Sequence, residues 1–311
     1  LPFELKILGS NSATPVYNRH QSSQLLNIEN EFFLIDCGEA TQHQLLKYKF
    51  RFNKINTILI SHLHGDHYLG LPGLLSTMHL NGREKDITIF GPPGLDEILT
   101  TQFRYSQMYL NFKIHFKKLD TYSKTIIRDE NNLIIETIPL NHRIPCCGFL
   151  FREKPKRRRI NKDVMPADLP LLDIIALKNG QDIYRNGKLY LKNEEYTLPP
   201  KKSRSFAYCS DTRYSEEILP QITNIDLLYH ESTFTHDLLD RAIETYHTTA
   251  KEAATIAQKA KVGKLILGHF SSRYKELDAI LEEAKPIFPD SFLAIEGETF
   301  SVSDEPVISN G

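Results

Sequence analysis

The stretch Ile60-Ser61-His62-Leu63-His64-Gly65-Asp66-His67-Tyr68-Leu69-Gly70 decides how this chain is read. Ahead of it, residues 55–60 form a short β-branched apolar run with the character of a buried strand. Behind it, Gly70-Leu71-Pro72-Gly73-Leu74-Leu75 opens an apolar helix. Three imidazoles and a carboxylate therefore stand on the loop where a strand ends. Imidazole and carboxylate are the donors that borderline divalent ions prefer, Zn²⁺ above all. Four such groups crowd a single tetrahedral ion that must keep one position open. His62 and His64 can face one ion while Asp66 and His67 face a second. Read as an ordinary polar turn, the stretch leaves four ligand-type side chains without a reason.

The rest of the composition is that of a folded, water-compatible protein. The chain has 311 residues, 41% hydrophobic and 25% charged, enough for one large core. No apolar run approaches the roughly 20 residues that span a bilayer. The first residues lack the basic-then-apolar layout of a signal peptide. Cys37, Cys146, Cys147 and Cys209 lie in or beside apolar segments and show no disulfide framework, so they read as buried thiols in a reducing, cytoplasmic setting. The formal net charge is −1, so polyanion binding would have to come from a local patch. The densest candidate runs from Arg152 to Lys162 and holds Lys156, Arg157, Arg158 and Arg159. A charge run taken alone is more often a solvated loop.

Strand-like segments at 3–8, 24–28, 32–35, 87–90, 113–116 and 133–138 alternate with helical ones at 71–80 and 95–103, and another helix begins near Glu39 with Leu45 and Leu46 on one face. Residues 152–202 differ: charge is high, prolines recur and hydrophobic period is poor. They read as a flexible arm inserted into a single domain spanning 1–311. Regular structure resumes at 205–209 and 226–229. Thr249 is placed to N-cap an Ala-rich helix, and the strand 264–267 ends at Gly268-His269. Polar residues collect at strand ends, which fits a layered α/β architecture with a site on one rim.

Three later residues repeat the logic of the first loop, each just beyond an apolar strand: His142, Asp211 and His269. The assignment that follows puts His62, His64 and His142 on one ion and Asp66, His67 and His269 on the other. Asp211 lies between them, because each carboxylate oxygen can serve one metal.

In this order the residues resemble the metallo-β-lactamase fold superfamily, an αββα sandwich of two mixed sheets with such ligands at one edge. Within it the chain is most similar to the ribonuclease Z family, short form. Phe33-Leu34-Ile35-Asp36-Cys37-Gly38-Glu39-Ala40-Thr41-Gln42 resembles that family's early strand-turn-helix, and Ser61 to Gly73 its metal loop. His230-Glu231-Ser232-Thr233 resembles its HEST element, and His247-Thr248-Thr249 its HST element with Thr in the middle. Pro200-Lys201-Lys202-Ser203-Arg204 resembles its proline-lysine-arginine loop, although Ser205 stands where Asn is common. A second departure lies in the arm, where Ala167-Asp168-Leu169-Pro170-Leu171-Leu172-Asp173 lacks the Gly-Pro pair usual near the tip.

The resemblance implies a zinc-dependent endoribonuclease that cuts precursor tRNA after the discriminator nucleotide, leaving a 3′-hydroxyl on the tRNA and a 5′-phosphate on the trailer. It implies two Zn²⁺ per chain, with Mn²⁺ as the alternative ion, and a homodimer. Asp66 would accept the water's proton, His247 would act as general acid or phosphate stabiliser, and Glu231 would orient His247. Lys156, Arg157, Arg158, Arg159, Lys202 and Arg204 are the candidate contacts to RNA. Two rivals stay open. The same donors could hydrolyse a small phosphodiester, ester or lactone, where a basic arm has no evident use. A non-enzymatic RNA-binding protein would need a broken metal site, yet all the candidate ligands are present.

Overall fold

The computed structural model describes residues 1–304. Among them, two seven-stranded sheets dominate. The first runs in the order Thr299–Ser301, Phe3–Gly9, Ser23–Ile28, Glu31–Ile35, Ile55–Leu59, Ile87–Gly91, Ile114–Lys118. The second runs Ser291–Leu293, Lys264–Gly268, Leu227–Glu231, Ser205–Cys209, Cys147–Glu153, Leu133–Pro139, Ile126–Glu130. Each sheet is antiparallel on one side and has a parallel block of four strands on the other.

Strand alternation makes the layers. Phe33 and Ile35 turn inward to the core shared with the second sheet, while Leu34 between them turns outward to the helices. Phe33 meets Phe151 of the opposite sheet edge-on, with ring centroids 5.5 Å apart. Helices Leu71–Leu80 and Leu95–Tyr105 cover the outer face of the first sheet; Ala250–Ala260 and Asp278–Ala284 cover the second. Ala250–Ala260 is N-capped by Thr249 as expected, and the structure completes a capping box, Thr249 accepting from Glu252 N–H and Glu252 reaching back to Thr249 N–H at 2.9 Å. Its face of Ala253, Ala254 and Ala257 is fully buried, so small side chains let the helix lie close to the sheet. The architecture is the expected αββα sandwich, and all four cysteines are buried free thiols.

Two expectations need correction. In the helix Thr41–Lys47, Leu45 is buried but Leu46 is 57% exposed, because adjacent residues stand about 100° apart on a helix and this short one buries a narrow stripe. The inserted segment is more regular than its sequence suggests. It holds a helix, Leu171–Lys178, and a hairpin, Ile183–Arg185 with Lys188–Leu191, and a two-residue pairing of Arg159–Ile160 with Thr197–Leu198 closes its base. Leu177, Ile183 and Leu191 form a small core of their own, joined by Ile160, Met165, Leu169, Ala176 and Tyr196. These apolar residues are too widely spaced along the chain to show a period.

The edge strand Ile126–Glu130 was also hidden, since Arg128, Asp129 and Glu130 mask an alternation that an edge position does not require.

Candidate metal centre

The parallel blocks of both sheets end at one rim, and the candidate residues stand on it. From the first sheet come Asp36, after Glu31–Ile35, and the loop and short helix carrying His62, His64, Asp66 and His67, after Ile55–Leu59. From the second come Asp211 after Ser205–Cys209, Glu231 ending Leu227–Glu231 and His269 after Lys264–Gly268. His142 follows the antiparallel strand Leu133–Pro139. Glycine permits the close backbone packing behind the metal loop: a Cβ on Gly70 would lie 2.0 Å from the Gly38 carbonyl oxygen, and one on Gly38 would lie 2.6 Å from that of Asp66.

The side chains meet in two sets. In the first, His64 Nδ1 lies 3.0 Å from His62 Nε2 and 3.2 Å from His142 Nε2. Asp211 Oδ2 stands 3.6 and 3.7 Å from His62 Nε2 and His142 Nε2. In the second, Asp211 Oδ1 is 3.2 Å from His67 Nε2 and 3.1 Å from His269 Nε2, while Asp66 Oδ2 is 3.5 and 3.6 Å from the same nitrogens. A tetrahedron with bonds of about 2.0–2.1 Å has edges of about 3.3 Å, which these separations bracket. The buried Nε2 atoms of His67 and His269 have no hydrogen-bond partner among the described residues. An unpaired buried nitrogen is costly, and a cation would satisfy both. The residues fit a metal, and a two-oxygen division of Asp211 is what a pair of ions would use.

Electrostatics agree. Burial, reinforced by neighbouring imidazoles, holds His62 well below its ordinary pKa, so it keeps a free lone pair. Burial also opposes a charge on His67, but Asp211, Asp66 and Asp36 outweigh it and hold that imidazole well above the ordinary value. Excess negative charge here is balanced by a proton that a divalent ion would displace.

Outer hydrogen bonds fix the rings. Asp36, in the left-handed region at φ 56°, accepts from His67 Nδ1 at 2.7 Å, Tyr208 Oη at 2.8 Å, and Ser61 N–H and Oγ at 2.8 and 2.9 Å. The Ser61 oxygen lies 3.0 Å from His62 Nδ1. His142 Nδ1 donates to the Tyr246 carbonyl at 3.2 Å. Sequence reasoning gave Asp36 no role, although it ends an apolar strand just as Asp211 does.

His247 Nδ1 stands 2.9 Å from Glu231 Oε1. Burial would lower this imidazole, but the Glu231 carboxylate more than compensates and pushes it up to about 9. His247 shares with Asp66, His64, His142 and Asp211 a cavity of about 540 Å³, whose rim also carries Gln21, Glu39, Arg143 and Arg241. Arg143 is exposed there with no ion pair or hydrogen bond among the described residues, and its only sequence signal is its place beside His142. His230 is buried and bonded to a backbone carbonyl, in keeping with a structural part.

The basic residues divide. Arg157 and Arg159 are exposed, Arg159 with its Nε donating to the Pro199 carbonyl at 3.1 Å, whereas Lys156 pairs with Glu153 at 2.7 Å and Arg158 donates to Thr197 at 2.7 Å. Arg204 does not fit the contact to RNA expected of it, whereas Lys202 stays exposed. Arg204 is only 3% exposed and its guanidinium is committed to Glu153 and to the Leu1 carbonyl; the Lys202 ammonium pairs with Asp226. Both fasten the returning leg of the insertion to the second sheet.

Comparison with known proteins agrees with this architecture. The chain superposes on YhfI from Bacillus subtilis, a metallo-β-lactamase fold protein, with a TM-score of 0.68 at 20% identity, over 97% of this chain and 100% of that one. A family model described as anti-Pycsar protein Apyc1 matches residues 3–158, which takes in the metal loop and His142 and stops before Asp211. The fold is therefore the metallo-β-lactamase fold. A Ribonuclease Z from Cytophaga hutchinsonii is 54% identical over 98% of this chain and 97% of its own length. Human tRNase Z, short form, superposes with a TM-score of 0.70 at 27% identity over 96% of this chain and 99% of that one. The chain belongs to the ribonuclease Z family, hydrolases of RNA phosphodiester bonds.

Proposed function

We propose that this chain removes the 3′ trailer from precursor tRNA, cutting after the discriminator nucleotide and leaving a 3′-hydroxyl on the tRNA and a 5′-phosphate on the trailer. The observation that carries the reading is the His247–Glu231 pair beside converging ligand-type side chains, in a chain 54% identical to a Ribonuclease Z.

The proposed cofactor is two Zn²⁺ per chain, with Mn²⁺ as the alternative. Bound there, the ions would acidify water and neutralise charge developing on the phosphate. His62, His64 and His142 would hold one, Asp66, His67 and His269 the other, and Asp211 both. Asp66, its Oδ2 steadied by Ala13 N–H at 2.8 Å, takes the proton of the attacking water. His247 is protonated at neutral pH and commits Nδ1 to Glu231, so Nε2 is the nitrogen left to protonate the departing 3′-oxygen of the tRNA.

Arg157 and Arg159 at the base of the arm are the exposed cations suited to tRNA phosphates, and the arm formed by 152–202 is the proposed exosite. A homodimer acting in the cytoplasm completes the reading. No helix among the described residues is long and apolar enough to cross a membrane.

Hydrolysis of a small phosphodiester is the rival, since the same donors serve it. Turnover of a precursor tRNA against bis(p-nitrophenyl) phosphate separates them. The tRNA reading requires a kcat/KM for the precursor higher by several orders of magnitude; comparable values would favour the small substrate.

A further inference from the structure

Glu231 is fully buried and receives four hydrogen bonds. Oε1 accepts from Thr212 N–H at 2.7 Å and His247 Nδ1 at 2.9 Å; Oε2 accepts from Thr248 N–H at 3.0 Å and the Thr233 hydroxyl at 2.6 Å. A carboxylate with two oxygens has about four acceptor positions, and all are used.

The bond from Thr233 also constrains His269. An ionised carboxylate only accepts, so the single hydroxyl proton of Thr233 points at Glu231. The same Thr233 oxygen lies 2.9 Å from His269 Nδ1, and having given its proton away it must accept there. His269 therefore carries its proton on Nδ1. Its Nε2 lone pair is left facing Asp211 and Asp66 at 3.1 and 3.6 Å, where no protein donor meets it. Nothing else fixes that tautomer. His269 lies outside the strand ladder with φ 59°, a left-handed backbone that no regular element imposes, and Thr233 is the only hydrogen-bond partner of its ring among the described residues.

We propose that Glu231 is a positioning residue for two imidazoles at once: His247 directly, and His269 through the hydroxyl of Thr233. The proton-handling group and one ligand-type imidazole thus share a single anchor. The other sheet repeats the plan. Asp36 accepts from His67 directly and from Ser61, whose oxygen meets His62 Nδ1. One carboxylate at a parallel strand end, one direct imidazole and one reached through a hydroxyl recur on each side of the seam. The inference rests on reading the site as a metal centre; it gives Thr233 and Glu231 a part in holding the ion, and Glu231 alone a part in the acid step.

The test uses the full chain with Thr233→Val, which keeps the shape and removes the hydroxyl, and Thr233→Ser, which keeps the hydroxyl. Zn²⁺ affinity is measured by competition with a chromophoric chelator, with circular dichroism and a thermal melt on each variant. Thr233→Val should weaken one of the two Zn²⁺ equivalents by about 10–100-fold, the usual effect of losing an outer hydrogen bond to a ligand. Thr233→Ser should bind as the unmodified chain does. At saturating Zn²⁺ the alkaline limb of kcat should stay in place in Thr233→Val and move in Glu231→Gln, which should also bind Zn²⁺ more weakly. Unchanged affinity in Thr233→Val overturns the proposal, and so does equal weakening in Thr233→Ser, which would assign the effect to packing. If the unmodified chain itself takes up no Zn²⁺, the metal-centre reading fails, a result distinguishable from failure of the relay alone.

Discussion

Asp211 gives one oxygen to each set of imidazoles, so its loss should be felt at both. Asp211→Ala is expected to leave well under one Zn²⁺ per folded chain against about two in the unmodified protein, read by elemental analysis after purification without chelator. One ion retained in full would show that the residue does not bridge. His247 supplies a second prediction. If His247 is the general acid proposed, it must be protonated, and the Glu231 carboxylate raises it above the ordinary imidazole value, so kcat at saturating Zn²⁺ should fall on the alkaline side. Glu231→Gln removes the charge that raises the value, and the falling limb should shift to lower pH. At saturating Zn²⁺, where weaker metal binding no longer counts, the double variant of His247→Ala with Glu231→Gln should cost little more rate than His247→Ala alone; multiplicative losses there would mean the two act separately. The ligand-type residues were legible in the sequence because three His and an Asp on one loop have no packing use. The relays were not, since Ser61, Thr233 and the Tyr246 carbonyl are ordinary groups until folding sets them against a ring.

At the scale of elements, strands rich in β-branched residues could be read directly, and so could the N-cap at Thr249. The insertion could not, because Leu177, Ile183 and Leu191 come together only in three dimensions. Its closed base makes it removable. Arg159–Ile160 pairs with Thr197–Leu198, and outside the cut Glu153 N–H still donates to the Arg204 carbonyl at 2.9 Å, so the two legs run side by side. Replacing residues 156–198 with a short flexible linker should leave bis(p-nitrophenyl) phosphate turnover within about twofold while raising KM for precursor tRNA at least tenfold. Arg157→Ala with Arg159→Ala should give a milder rise and a shallower salt dependence, with the log–log slope reduced by roughly 1 for each phosphate no longer neutralised. An unchanged KM and salt slope in the deletion would show that the insertion takes no part in RNA binding.

In the whole molecule, ligand-type residues come from both sheets: His62, His64, Asp66 and His67 from one, His142, Asp211 and His269 from the other. A pair of ions would therefore tie the sandwich together at one rim. The core between the sheets is extensive without them, so the chelated protein should stay folded. Its melting temperature should fall by roughly 5 °C or more, since an ion at 100 times its Kd contributes about 2.7 kcal/mol. A melting temperature indifferent to chelator and to added Zn²⁺ would contradict this.

If this rim cuts precursor tRNA at one phosphodiester, mapping the cut shows it most directly. Purified protein supplied with Zn²⁺ is incubated with a 3′-extended tRNA, and both fragments are sequenced and their ends identified chemically. A single cut after the discriminator nucleotide is expected, with a tRNA ending in a 3′-hydroxyl and a trailer beginning with a 5′-phosphate. No cleavage by a metal-loaded protein, scattered cuts, or a 3′-phosphate or cyclic phosphate on the tRNA would contradict it.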